Sequence, residues 1–203
     1  MDITKQNIIL EDDRVLLRPL TIDDTDNLLP FALNEAHLFK YSLVSPEGSR
    51  EALMNYISIT EQQKQQGKEY AFIVFDKKAN KYAGSTRFYD ILPEFKTVQL
   101  GYTWYGTEFQ RTGLNRHCKL LIFEFAFEKW GLERVELRAD ANNVASIQAM
   151  KDIGCTVEGI LRSNMPTRDP NVRRSSIVLS ILKDEWFGGV KERLKEKIYP
   201  LTP

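Results

Sequence analysis

Apolar and polar positions along the chain change period several times, and each change marks an element. Residues 14–18, RVLLR, predict a short strand that stops at Pro19. Thr21 followed by Asp23 and Asp24 reads as a helix start, a hydroxyl cap with acids in the first turn where the helix dipole favours them. That helix runs to about residue 35. A turn at 45–48, Ser-Pro-Glu-Gly, precedes a second helix over 49–66, with Leu53, Tyr56 and Ile57 at helical spacing and Gly67 at its end. The period then becomes that of strands. Residues 70–75, YAFIVF, form a buried strand, 76–81 a turn, 82–89 the return strand and 90–95 a loop around Pro93. A third strand covers 97–105, TVQLGYTWY; its Gly101 suggests a bulge or a close backbone approach.

Helical spacing returns over 113–130. Leu120, Leu121, Phe123, Ala126 and Phe127 make an apolar face there, and Gly131 caps the end. A strand at 134–139 leads to a helix capped by Asn142 or Asn143 and closed by Gly154. Strands at 155–161 and 173–182 flank a loop holding Pro166 and Pro170, and a charged, solvated helix fills 183–197. The order βααβββαβαββ, without repeats or a linker, predicts one mixed α/β domain over residues 1–203. Its core spans about 12–182 and is followed by the charged helix at about 183–197.

Composition removes some classes of function. Lysine and arginine equal aspartate and glutamate at 28 each, which argues against binding nucleic acid mainly through its phosphates. Cys118 and Cys155 are the only cysteines; they lack zinc-ligand spacing and read as free thiols of a reducing compartment. The two histidines, His37 and His117, are far apart in sequence and offer no metal site. No apolar run approaches the ~20 residues of a membrane span. The first residues carry acids where a secretion signal needs bases, so the expected compartment is the cytoplasm.

The stretch entering the long helix carries more polarity than a cap requires: Gln110, Arg111, Thr112, Gly113, Leu114, Asn115. The first N–H groups of a helix lack internal partners and carry partial positive charge, which suits phosphate. Gly113 lets the backbone come close to a ligand. Arg111 adds charge, and Gln110, Thr112 and Asn115 add donors. A plain glycine turn with solvated neighbours is the competing reading. The stretch is neither a Walker loop nor G-x-G-x-x-G. Further on, Asn143 and Ser146 stand three apart near the start of a helix, on one face. Their ordinary roles would be an N-cap and a serine bonded to a backbone carbonyl.

Taken in order, these segments resemble the GNAT superfamily of acyl-CoA-dependent N-acetyltransferases, in particular its RimJ/RimL-like branch. The family's pyrophosphate loop, Q/R-x-x-G-x-G/A, is similar to residues 110–115, with Arg111 where the branch usually has a glycine and Asn115 at the last position. The branch's N-x-x-S matches Asn143 to Ser146. Its G-x-x-x-E-G-x-L-R matches Gly154, Glu158, Gly159, Leu161 and Arg162, and its opening L-R-P matches Leu17, Arg18 and Pro19. The resemblance implies a central mixed, mostly antiparallel sheet splayed between strands 4 and 5, with helices on both faces. It implies acetyl-CoA as co-substrate, no metal, and dimers as a frequent state. The pyrophosphate would lie on residues 110–115. Residues 101–104 would form a bulged strand whose edge, at Tyr102, Thr103 and Trp104, pairs with pantetheine and polarises the thioester carbonyl. Asn143 would contact pantetheine, and Ser146 would act as general acid towards the departing thiolate.

The family's usual glutamate on the fourth strand is absent, so Tyr102 or Glu108 through water, or a backbone carbonyl, stand in as candidate bases. An acceptor amine arriving neutral is the other solution, easier for an α-amino group (pKa ~7.7–8.0) than for lysine (~10.4). The implied activity is acetyl transfer to a primary amine of a small molecule or a peptide or protein N-terminus. A non-catalytic CoA-binding regulatory module and an acyltransferase for larger acyl groups are the alternatives. Phe31, Phe39, Tyr41, Phe88, Tyr89 and Tyr105 are core residues or an acceptor pocket. Arg87 reads as a surface salt bridge rather than a residue of the same cleft, His117 as a surface histidine rather than a phosphate contact, and Arg168, Arg173 and Arg174 as a solvated basic edge rather than a site for an acidic acceptor or the CoA 3′-phosphate; His37, at the end of the first helix, would by the resemblance border the acceptor site.

Overall fold

A computed structural model describes residues 2–200. Eight strands form a single sheet: β1 Leu10–Glu11, β2 Val15–Pro19, β3 Tyr70–Asp76, β4 Lys81–Leu92, β5 Thr97–Tyr105, β6 Arg134–Asp140, β7 Thr156–Pro166 and β8 Arg173–Leu182. The helices are α1 Thr25–Asn34, α2 Arg50–Gln65, α3 Leu114–Glu124, α4 Val144–Asp152, α5 Lys183–Glu185 and α6 Lys191–Ile198. The strand order is β1-β2-β3-β4-β5-β6-β8-β7. Every pairing is antiparallel except β5 with β6.

The element order matches the sequence reading, with β1 added at the edge, so the fourth and fifth expected strands are β5 and β6. Boundaries moved where polar residues disguised a strand. β4 continues to Leu92 through Asp90, which takes φ +46, and β7 continues to Pro166 through Ser163, φ +52. The first helix begins as a 3-10 turn, Ile22–Asp24, before α1. For α2, Ser49 is the cap, its side chain accepting from Ala52 N–H. The charged tail is part of the core rather than a solvated rod. It breaks at Gly189, and Trp186 is fully buried, with its ring 5.7 Å from Phe127 and its indole N–H donating to Glu128.

Successive strand residues point to opposite faces, and β4 shows which helices own which face. Thr86 meets Lys119 of α3, and Phe88 meets Phe125 in the π-helical turn that continues α3. Arg87, between them, lies 4.8 Å from the Tyr56 ring of α2. Hence α2 and α3 cover opposite faces.

Two local features split the middle of the sheet. First, β5 and β6 pair only from Thr97–Arg134 to Gln99–Glu136. Beyond Gln99 the strands separate. Second, β5 carries a bulge: Ser85 faces Trp104 and Arg87 faces Gly101, so two steps on β4 match three on β5. The bulged residue is Tyr102, held at φ +47. Gly101 has no room for a side chain, since a Cβ there would lie 2.9 Å from the Tyr89 ring.

Candidate functional site

Because β5 and β6 are parallel, their C-terminal ends open on the same side of the gap. β5 leaves through the 3-10 turn Thr107–Phe109 into residues 110–113 and α3. β6 leaves through Asp140, whose carboxylate accepts Asn142 N–H at 2.8 Å, into α4. Two helix N-termini therefore flank one slot, and Arg116 near the start of α3 bonds Asp152, at the C-terminal end of α4, at 2.8 Å.

The loop before α3 is built by the side chains the sequence offered as ligand donors. Gln110 Nε2 donates to Tyr105 O at 3.0 Å, Thr112 Oγ1 donates to Phe109 O at 2.7 Å, and Asn115 Oδ1 accepts from the Tyr105 hydroxyl at 3.2 Å. These residues hold the loop shape. The groups left over are the backbone N–H of Gly113 and Asn115, which have no protein acceptor among the described residues, and the exposed Arg111. Arg111 takes φ +60 and Gly113 φ +91. Arg111 thus keeps the left-handed conformation that glycine adopts freely, at the steric cost of a Cβ. Nothing lies within 4 Å of a Cβ built on Gly113, so its backbone faces open space. Free amides, one guanidinium and an open approach make a donor set that fits a diphosphate.

Tyr102, Thr103 and Trp104 lie on the part of β5 that has left β6, so their β6-side backbone edge carries no ladder. A chain of secondary amides fits an unpaired strand edge of this kind. The three side chains go to different places. The Tyr102 ring is 38% exposed, 4.4 Å from the Arg87 guanidinium and 5.1 Å from the Tyr89 ring. Burial pushes the Tyr102 phenol up, against the opposing pull of Arg87, so it is a poor base and a competent donor. Thr103 turns towards α3. Trp104 is buried edge-on to Phe31 and Phe39, and its indole N–H meets no acceptor. Glu108, the other candidate base, is exposed in an ion pair with Lys81.

On α4, Asn143 is the N-cap, its Oδ1 accepting Ser146 N–H at 3.1 Å. The half-buried Ser146 hydroxyl bonds no carbonyl of the preceding turn and has no partner among the described residues. Its ordinary helix-serine role is therefore absent.

Around the slot, several expectations change. Arg87 is not a surface ion pair. It is 4% exposed, paired with Glu69 at 2.7 Å and sandwiched by Tyr56 and Tyr102, with Nε and Nη2 unpartnered. Of the basic cluster, Arg173 stays at an exposed edge, its side chain bonding Ser163 O, but the other two do not. Arg168 bonds Glu47 and the carbonyls of Ser42 and Phe39, while Arg174 bonds Tyr41 O, so the β7–β8 connection is latched to the α1–α2 connection. Tyr41 extends that contact, its hydroxyl donating to Asn142 O at 3.3 Å. His37 Nε2 lies 3.1 Å from Thr107 Oγ1, and Glu35 accepts from both Thr107 N–H and its hydroxyl.

His117 is half-buried against Asp12, 2.7 Å from Nδ1 to Oδ2, and turns away from the loop. With Asp13 these two make the one clustered trio of potential metal ligands among the described residues, but Asp13 is engaged by Tyr199 and Asp12 by two backbone N–H groups. Both cysteines are buried, free and pushed up to about 12 by that burial, which makes them unreactive. The sequence reading missed Lys119 and Glu69 altogether. Nothing but a polar letter inside an apolar helical face marked the first.

Residues 14–156 match the profile of the acetyltransferase (GNAT) domain family. A Bacillus subtilis protein named "Probable N-acetyltransferase YjcK" is 22% identical over 165 residues, 77% of this chain and 88% of that one. The crystal structure of a GCN5-related N-acetyltransferase from Brucella melitensis superposes with a TM-score of 0.87 at 22% identity, covering 97% of this chain and 88% of the other. An acetyltransferase from Salmonella typhimurium that modifies the N-terminal serine of 50S ribosomal subunit protein L7/L12 gives a TM-score of 0.76 at 18% identity, covering 86% and 99%. The chain belongs to the GNAT acetyltransferase family, whose members use acetyl-CoA, and it is an acetyltransferase. No helix among its described residues is long and apolar enough to cross a membrane.

Proposed function

We propose that this acetyltransferase acts within the RimJ/RimL-like branch of its family, moving acetyl from acetyl-CoA to a primary amine, with a peptide or protein N-terminus as the preferred acceptor. One observation carries the reading: β5 bulges at Tyr102 and parts from β6 after Gln99, beside a loop of free amides at Gly113. Acetyl-CoA supplies a thioester-activated acetyl group. The amides of Gly113 and Asn115, with Arg111, hold its diphosphate. The free edge of Tyr102, Thr103 and Trp104 pairs with the amides of the pantetheine arm and presents an N–H to the acyl oxygen as it gains charge. Asn143 orients the arm. Ser146, whose hydroxyl is uncommitted, protonates the departing thiolate directly or through water.

The acceptor side favours an amine that arrives neutral. β5 offers no carboxylate, and the phenol of Tyr102 is shifted in the wrong direction for a base. An α-amino group with a pKa of ~7.7–8.0 is substantially neutral near pH 8, while a lysine at ~10.4 is not. The Salmonella relative acts on a protein N-terminus, which agrees with this preference without deciding it. The test is a mass-spectrometric panel with acetyl-CoA: peptides with free N-termini, polyamines, free amino acids and aminoglycosides. Acetylated peptide at the highest rate is the expected result. Acetyl-CoA bound with no amine acetylated would replace the enzyme by a regulatory CoA-binding module.

A further inference from the structure

Lys119 is 3% exposed, one turn into α3, with no carboxylate against it among the described residues. Its Nζ donates to Thr103 Oγ1 at 2.9 Å and to Thr86 Oγ1 at 3.2 Å, and the two hydroxyls are 2.7 Å apart. Burying an ammonium without a counter-ion is costly, and an apolar side chain would fill this core site without that penalty. The triangle it makes is placed at a particular point. Thr86 is the β4 residue opposite the bulge, between the Ser85–Trp104 and Arg87–Gly101 pairs, and Thr103 directly follows the bulged Tyr102.

We infer that Lys119 is a positioning residue for acetyl transfer: through Thr103 it fixes the bulged segment 101–104, whose free edge faces the gap, and it keeps a positive charge behind that segment. The opposite face of the segment is held by the Arg87–Tyr102 contact, so the bulge is gripped from both sides of the sheet. Lys119 acts through the strand and touches no substrate. Burial lowers it to about 8 from an ordinary 10.5, so it changes state in a workable pH range. The titratable groups facing it are Cys118 on its own helix and Cys155 after α4, both pushed up to about 12, and beside Cys118 the Tyr105 phenol, raised well above its ordinary value. All three stay neutral while Lys119 titrates. On losing its proton, Nζ keeps two N–H donors for the two hydroxyls, gains a lone pair and loses its charge, so the field behind the bulge changes.

The inference rests on the proposed use of this edge for the acyl donor, so its test has one readout that needs no catalysis. Backbone-amide NMR of the protein follows residues 101–104 from pH 6.5 to 9.5 in wild type and in Lys119→Met. Their shifts should titrate near pH 8 in wild type and not in the variant. In parallel, thiol release from acetyl-CoA is followed with a peptide bearing a free N-terminal serine. There, Lys119→Met should lower kcat about tenfold or more while KM for acetyl-CoA stays within about twofold. The Lys119→Met/Thr103→Val double variant should be no slower than the worse single one.

The same amide titration in both proteins, or a kcat within about twofold of wild type, overturns the inference. Should the variant not fold, wild type alone decides: amides of 101–104 that ignore the titration of ¹⁵N-labelled Lys119 overturn it. Inactivity of wild type towards the peptide, with the amide titration present, supports the link to the bulge and sinks the proposed function instead.

Discussion

Replacing Lys119 by methionine should make the protein more stable, and by an amount that depends on pH. In the unfolded chain this lysine holds its proton up to its ordinary pKa of 10.5; in the fold, burial lowers that to about 8. Between those values the unfolded state binds more protons, so wild-type stability rises with pH and the penalty is fully present below pH 8. A shift of about 2.5 units is worth roughly 3 kcal/mol, of which about 2 has disappeared by pH 9.5. Methionine nearly matches lysine in length and leaves Thr86 and Thr103 bonded to each other, so no orphan hydroxyl offsets the gain. Urea unfolding at pH 7 should therefore show Lys119→Met more stable by about 1–3 kcal/mol, with the difference shrinking by about 2 kcal/mol at pH 9.5. A variant less stable than wild type at pH 7, or a difference that ignores pH, would show that this ammonium is not the desolvated charge its surroundings indicate.

Three further outcomes follow from the site. Ser146→Ala should lower turnover about 10²-fold, leave acetyl-CoA affinity by calorimetry within about twofold, and change stability by less than about 0.5 kcal/mol, since the hydroxyl has no partner to lose; unchanged turnover removes it from the mechanism. Gly113→Val places a branched side chain at φ +91, costing about 1–2 kcal/mol of stability, and should abolish acetyl-CoA binding by calorimetry; undiminished affinity would mean the diphosphate lies elsewhere. Arg168→Ala unlatches the β7–β8 connection, so hydrogen exchange should speed up across 166–172 and KM for the peptide acceptor should rise, with acetyl-CoA affinity unchanged; unaltered exchange there would show that the latch bears no load.

The legible parts of this chain were those where one local signal had one physical meaning. Leu53, Tyr56 and Ile57 at helical spacing marked α2, YAFIVF marked a buried strand, and Asn143 marked the cap of α4. Non-local facts were hidden. Gln110, Thr112 and Asn115 look like ligand donors in the sequence because nothing there shows that Tyr105 and Phe109 carry the groups they bond. Arg168 looked solvated because its partners are more than a hundred residues away in the chain. Trp186 was masked by its charged neighbours, whose polar faces concealed a fully buried ring. Lys119 ran against hydrophobic patterning itself, and only the threonine pair across the sheet explains its place.

The extra residue at Tyr102 also changes the parity of β5. Before it, odd-numbered residues face the α1/α2 side: Gln99 lies opposite Tyr89, and Gly101 lies against the same ring. After it, even-numbered ones do: Trp104 packs on Phe31 and Phe39, while Thr103 and Tyr105 reach Lys119 and Asn115 of α3. A regular strand would send the indole into the lysine layer and turn the threonine out under α1. The strand cannot straighten to zip up with β6 without turning two packed layers inside out, so the gap in the sheet is locked open by the core on either side of it.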